Sequence, residues 1–261
     1  MTFQPVVPIS GYAGWVFLNR TLETQQEAHK QGLQSDTEYF SENIGNVRTV
    51  DDLLADRKLL TVALGAFGLD DDINNTFFIR KVLEEGTSDS ESLANKLSDS
   101  TYLEFSTAFG FGEGIPPRTT LSGFAEEVTS AYESYQFETD VGDQNEDFRL
   151  ALYAERELPD VASEDTSNDT KWFTIMGSTP LRTVFETALG LPDSFASLDI
   201  DVQLKTFKAK AEQTFGTSEV SDYLDPQLQD ELTSTFLLRS ELKNGAQSLT
   251  SANTALILLG G

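Results

Sequence analysis

Thr61-Val62-Ala63-Leu64-Gly65-Ala66-Phe67-Gly68-Leu69 returns, loosely, as Thr183-Val184-Phe185-Glu186-Thr187-Ala188-Leu189-Gly190-Leu191. Each copy reads as an amphipathic helix ending in glycine. The echo continues further along the chain. Gly86-Thr87-Ser88-Asp89 is answered by Gly216-Thr217-Ser218-Glu219, and Glu104-Phe105-Ser106-Thr107-Ala108-Phe109 by Glu231-Leu232-Thr233-Ser234-Thr235-Phe236. The drift in spacing places an insertion after Gly190-Leu191. Repeats fix architecture ahead of any single element, and two copies predict a pair of pseudo-symmetric helical lobes. Chance likeness between two glycine-ended helices is the competing reading.

Outward from the echo, nearly every segment reads as helix. Tyr12 to Gly32 carries Trp15, Leu18, Leu22, His29 and Leu33 on one stripe,. Past Leu22 it turns very polar, so the stripe suits a partner groove or a coiled-coil seam as well as a core. Thr49 is a helix cap with Asp52 in the first turn, and Val50 to Phe67 follow at helical spacing up to Gly68, a left-handed cap,. Asp72 is expected to cap the next helix, which holds Ile73, Phe77, Val82 and Leu83 and stops at Gly86. Helices over Ser90–Leu97 and Thr101–Phe109 precede a break at residues 110–117,.

Thr120–Phe137 and Asp143–Leu158 are the next helices, and Val161–Thr170 reads as an exposed polar loop. Thr179-Pro180 and Asp225-Pro226 each set a capping residue before a first-turn proline,. Asp199–Phe215 is a long helix, the last major helix reaches about Leu242, and Gln247–Leu259 reads as one more, with Leu249, Leu256 and Leu259 on a side. Strand and hairpin signals are nearly absent. The expected fold is all-α, with an N-terminal amphipathic helix over residues 1–34, a first helical repeat over 35–138 and a second over 139–261.

With 261 residues, 39% of them hydrophobic and 18 of them Phe, the chain has the aromatic content of a folded protein,. Eighteen Lys and Arg stand against 43 Asp and Glu, a formal charge of −25. That balance argues against nucleic acid, whose phosphates need cations, and against anionic membrane surfaces. Adaptation to a salty environment explains the acidity better than a functional patch does. The absence of cysteine excludes disulfides, thiolate catalysis and cysteine zinc sites,. No basic n-region with an apolar run opens the chain, and Ala255–Leu259 is too short to span a bilayer,. The default expectation is cytoplasmic, with no membrane span.

Catalytic signals are weak. His29 is the single histidine, and no Gly-x-Ser-x-Gly elbow accompanies it,. Asp70-Asp71-Asp72-Ile73-Asn74 begins like a calcium loop but has Asn75 where glycine is required and Lys81 at the bidentate glutamate position,. Asp143 to Asp147 fails similarly. Gly110, Gly112 and Gly114 read as a linker, since no strand precedes them. Paired acids such as Glu84-Glu85, Glu126-Glu127 and Asp199/Asp201 are expected by number alone. The aromatic set Phe77, Phe78, Phe105, Phe109, Phe124, Phe185, Phe207 and Phe215 sits at core spacing. Neither catalytic residues nor a metal or cofactor is assigned.

The run from Tyr39 to Ile44, Thr49 to Leu60, Ala63 to Leu69 and Phe78-Ile79-Arg80-Lys81-Val82-Leu83-Glu84-Glu85-Gly86 resembles a bacterial domain-of-unknown-function family. So do Pro180-Leu181-Arg182-Thr183 through Leu191-Pro192 and Asp199-Ile200-Asp201. In that family the domain is often duplicated within a chain, and its genes cluster beside flagellar basal-body genes. The resemblance, from Tyr39 to about Leu242, carries no catalytic residues. It implies a non-enzymatic flagellum-associated accessory or structural protein acting on a protein partner such as a flagellar component, with export through the flagellar apparatus as a route outward. The Asn-rich N-terminal signature of rod and hook proteins is missing, which counts against an axial role. The other readings are a soluble helical binding module unrelated to motility and a carboxylate-based hydrolase. Trp15, Leu18 and Leu22 are the expected partner-binding residues. Arg57, Arg80 and Arg182 lie within the family-like motifs of a cation-poor chain, and their competing role is pairing with acids on neighbouring helices.

Overall fold

The computed structural model describes residues 3–97, 99–114 and 116–259, with Asp193 and residues 246–259 as backbone alone. The fold is all-α: twelve α-helices joined by short 3₁₀ turns, with no strand among the described residues. The chain forms two compact units, one of Met1–Val6 with Asn19–Asp143, the other of Val7–Leu18 with Gln144–Gly261. Helix α1, Gly11–Asn43, is longer than the expected Tyr12–Gly32, and the expected 1–34 segment is divided: Val7–Leu18 groups with the second unit, Met1–Val6 and the residues from Asn19 with the first.

The first unit continues with α2 (Val50–Ala55), α3 (Arg57–Gly65), α4 (Thr76–Glu85), α5 (Leu93–Lys96), α6 (Thr101–Phe109) and α7 (Phe124–Gly142). Thr49 caps α2 through a reciprocal capping box with Asp52,. The single helix expected from Val50 to Phe67 is broken at Asp56. Its backbone is extended, and its carboxylate accepts from the Lys58 and Leu59 amides (3.0 and 3.1 Å) and from the Tyr39 hydroxyl (2.7 Å). An aspartate satisfied in this way favours a new helix start over continuation.

Asp72 does not cap α4. It lies in a 3₁₀ turn, Asp70–Asn74, where its carboxylate accepts from the Tyr102 hydroxyl at 2.7 Å, and α4 begins after Asn75 instead. Burial, helped by Asp72, pushes the Tyr102 phenol up to about 12. Helix α5 is shorter than the expected Ser90–Leu97, and α7 starts at Phe124, not Thr120, because Arg118–Thr120 forms its own turn. The buried Thr119 hydroxyl anchors that turn to the Val47 carbonyl (2.8 Å).

The glycine run after α6 is a packing element. A Cβ on Gly112 would stand 2.3 Å from the Gly86 nitrogen. Beside it Glu113 accepts from the Thr87 amide (2.6 Å) and the hydroxyls of Thr87 and Ser88, which hold its carboxyl below the usual range, Ser88 foremost. The unit's core gathers Phe40, Leu53, Leu64, Val82, Phe105, Phe109 and Phe124. Phe77, expected in the core, is 78% exposed.

The second unit holds α8 (Glu146–Ser163), α9 (Asn168–Gly177), α10 (Thr179–Ala188), α11 (Ile200–Phe215) and α12 (Pro226–Leu259). Helix α8 outruns the expected Leu158 and passes through Pro159. The expected loop over Val161–Thr170 is shorter than predicted, since Ser167 caps α9 by accepting from the Thr170 amide (3.1 Å). Trp172, Ile175 and Met176 then fall on the buried face of α9,. Trp172 packs edge-on against Phe185 (5.3 Å) and donates its indole N–H to the Ser218 carbonyl (2.9 Å).

Asp225 accepts from the Gln227 amide (3.0 Å) to open α12, and Asp199 does the same for Asp201 (3.0 Å) at the start of α11. The two final helices expected from sequence are one: α12 is continuous for 34 residues across Gly245. The side chains of Leu249, Leu256 and Leu259 lie outside the described residues.

The echoed segments close on the same local device. The Leu69 amide donates to the Leu64 carbonyl (3.0 Å) and the Leu191 amide to the Glu186 carbonyl (2.8 Å), each after a left-handed glycine, Gly68 or Gly190. This is the i to i−5 bond of a Schellman closure.

Candidate functional site

Helix α10 packs against α12 in the second unit. Between them, and along the turn after α10, opens a cleft of about 600 Å³ lined by Thr183, Glu186, Thr187, Gly190, Arg239 and Lys243 among others. The spacing of four along each helix places Thr183 with Thr187 on one wall and Arg239 with Lys243 on the other. Arg239 makes no hydrogen bond or ion pair among the described residues, and its Nη1 lies 2.7 Å from where a Cβ on Gly190 would stand. Gly190 (φ +66°) therefore both turns the chain and admits the guanidinium,. Thr183 donates to the Thr179 carbonyl (2.8 Å), while the Thr187 hydroxyl has no hydrogen bond among the described residues. Glu186 pairs with Arg182 at 2.7 Å. On the flank of α12, Leu238 and Leu242 are 49% and 73% exposed.

The residues singled out from sequence are not brought together. Trp15 and Leu18 are buried (4% and 0% exposed), Trp15 edge-to-face on Phe148 at 5.7 Å, and Leu22 is half-buried. That stripe packs within the chain itself and does not offer its surface to a partner. Arg57 is exposed and donates to Asn74 Oδ1 (3.2 Å). Arg80 pairs with Asp51 (2.5 Å) and Glu84 (3.2 Å). Arg182 is the most embedded: besides Glu186, it donates to the Met176 carbonyl (3.2 Å) and to Gln203 Oε1 (2.6 Å). Gln203, itself buried, donates on to the Leu198 carbonyl (2.7 Å). Arg182 thus clamps the end of α9 and the start of α11 onto α10.

Two acids on α8 titrate high. Burial, then the charge of Asp230, pushes Glu155 up to about 7, and burial raises Glu157 against the opposing pull of Arg156. Neither lines the cleft. His29, 4% exposed, meets Asp140 Oδ2 through Nε2 at 2.9 Å, and its Nδ1 has no partner among the described residues. No cluster of three metal-ligating side chains occurs among the described residues, and none of their helices is long and apolar enough to cross a membrane.

Sequence reading missed Arg239, Lys243 and Thr187. The available signal was charge: Arg239 and Lys243 are the two cations beyond Lys210, four residues apart beside Leu238 and Leu242.

A family described as proteins of unknown function, DUF1217, matches residues 66–229. The chain belongs to this family. A crystal structure of a protein from Agrobacterium tumefaciens, solved by a structural genomics consortium, superposes with a TM-score of 0.71 at 30% identity, covering 92% of this chain and 99% of that one. No curated protein matches the chain.

Proposed function

We propose that this DUF1217 chain is a non-enzymatic accessory or structural protein of the flagellum that works through protein–protein contacts. The contact reading is carried by the outer face of α12, where Leu238 and Leu242 are 49% and 73% exposed one turn apart beside Arg239 and Lys243. Adjacent exposed leucines on an otherwise charged surface favour a partner. Their spacing continues in the sequence at Leu249 and Leu256, seven residues apart as in helix–helix seams,. The flagellar assignment is supported by the resemblance of the Tyr39–Leu69 and Pro180–Pro192 motifs to a family whose genes lie beside flagellar basal-body genes.

The shared closures at Gly68 and Gly190 favour descent from a duplicated helical unit. The non-enzymatic reading is favoured by the single histidine being buried against Asp140. We place the chain in the cytoplasm, with the flagellar export apparatus as its route outward.

The test pairs gene deletion with capture by the intact chain and by a Leu238→Glu, Leu242→Glu variant. Loss of swimming, with a flagellar component held by the intact chain and released by the variant, supports the reading. Normal swimming and flagellation after deletion sinks its flagellar part. The cleft of the second unit favours a second reading, a helical binding module unrelated to motility, which partners outside the flagellum combined with normal motility would support.

A further inference from the structure

We propose that the cleft between α10 and α12 binds the phosphate group of a small phosphorylated molecule, with Arg239 as its principal ligand. This goes beyond the motility reading and does not depend on it. The chain carries −25 formal charges, so an anion reaches its surface only where local cations outweigh the general field,. Here two cations line one wall, and a third, Arg182, neutralises Glu186, the acid of the lining.

Arg239 is half-buried against Gly190 with its guanidinium unpaired among the described residues. A planar fork of donors in that state matches the oxygens of a phosphate group, and Lys243 stands on the same wall,. Thr187 brings a hydroxyl whose proton is not committed elsewhere, in contrast to Thr183.

The carbonyl end of α10 would oppose an anion. Its last carbonyls are already occupied: Phe185 O, Thr187 O and Glu186 O accept from the Leu189, Gly190 and Leu191 amides at 2.8, 3.0 and 2.8 Å. The glycine position has a second consequence. Any other residue at Gly190 would strain a left-handed backbone and drive its Cβ into Arg239,.

The full chain is titrated with inorganic phosphate, with glycerol 3-phosphate and with a hexaglutamate peptide, all at ionic strength matched by sodium chloride. Amide shifts at Thr187, Gly190 and Arg239 are followed by ¹H–¹⁵N NMR. Saturable binding of either phosphate probe is expected, weakened about tenfold or more in Arg239→Gln. A preference for glycerol 3-phosphate identifies a phosphate ester as the ligand, and equal affinity limits recognition to the phosphate group itself. Thr187→Val, which alters no charge, is expected to weaken binding less than Arg239→Gln. No saturable shift, a shift that Arg239→Gln retains, or hexaglutamate binding as tightly as phosphate would overturn the proposal, the last in favour of an acidic protein segment.

Discussion

Replacing Glu155 by glutamine is expected to stabilise the protein in a pH-dependent way. Glu155 lies half-buried on α8, and its carboxyl makes no hydrogen bond or ion pair among the described residues. Burial, then Asp230, raises it from the ordinary 4.5 to about 7. A raised carboxyl binds its proton more tightly in the folded chain than in the unfolded one. Its favourable contribution is therefore complete below about pH 4.5 and is lost as pH rises through about 7, the pKa of the folded state,. Integrated over that window, ionisation costs about 1 kcal/mol at pH 5 and about 3 kcal/mol at pH 8. Glutamine keeps the shape and carries no charge, so it escapes this loss. Urea unfolding followed by circular dichroism should show the Glu155→Gln variant ahead by about 3 kcal/mol at pH 8 and by about 1 kcal/mol at pH 5. An advantage that does not change between the two pH values would refute the argument, because only ionisation in a desolvated place makes it pH-dependent. Asp230→Asn should yield a smaller gain at pH 8, since Asp230 is the lesser of the two causes.

Three further outcomes follow from single contacts. The Tyr223 hydroxyl is buried without a hydrogen-bond partner among the described residues, beside Phe185 (5.3 Å) and Phe215 (6.1 Å). Tyr223→Phe should be neutral or raise stability by up to about 1 kcal/mol in denaturant unfolding, and a clear loss would reveal a partner for the hydroxyl. Arg182→Lys keeps the charge but loses the fork that reaches Glu186, Met176 and Gln203 together, and should cost about 1.5–3 kcal/mol, whereas exposed Arg57→Ala should change stability by no more than about 0.5 kcal/mol,. Equal losses from the two would contradict the clamp. Asp56→Ala removes both the cap of α3 and the acceptor of the Tyr39 hydroxyl, and a loss of about 1–2 kcal/mol is expected; unchanged stability would show that α2 and α3 join without it,.

Periodicity and local stop signals were enough to establish several elements from sequence. Thr101–Phe109 forms a helix over those residues, Thr49 and Asp225 cap where their side chains suggest, and Gly86 and Gly216 end helices with positive φ. Such signals are legible because cap and glycine geometry depend on a few neighbouring residues and on sterics any chain obeys. The all-α class follows from the same local grammar repeated along the chain.

Tertiary structure decided what local grammar leaves degenerate. Asp56 and Asp72 are both aspartates in candidate capping positions. Only the distant hydroxyl of Tyr39 supports the first as a cap, and that of Tyr102 occupies the second, so α2–α3 divides and α4 starts late. The Trp15–Leu22 stripe is amphipathic whether it faces a partner or its own chain, and burial of Trp15 against Phe148 settles that it faces its own chain. Arg57, Arg80 and Arg182 look alike as motif cations; packing makes one exposed, one an ion pair and one a clamp. The cleft was illegible for the same reason. Its walls come from α10 and α12, and more than forty-five residues separate Gly190 from Arg239, so their approach is a property of helix packing and not of any window of sequence. What the chain itself determined is where helices can begin and end. Which faces meet, which charges lose their water and which cation is left unpaired follow from long-range packing, because burial is set by neighbours that sequence order does not reveal.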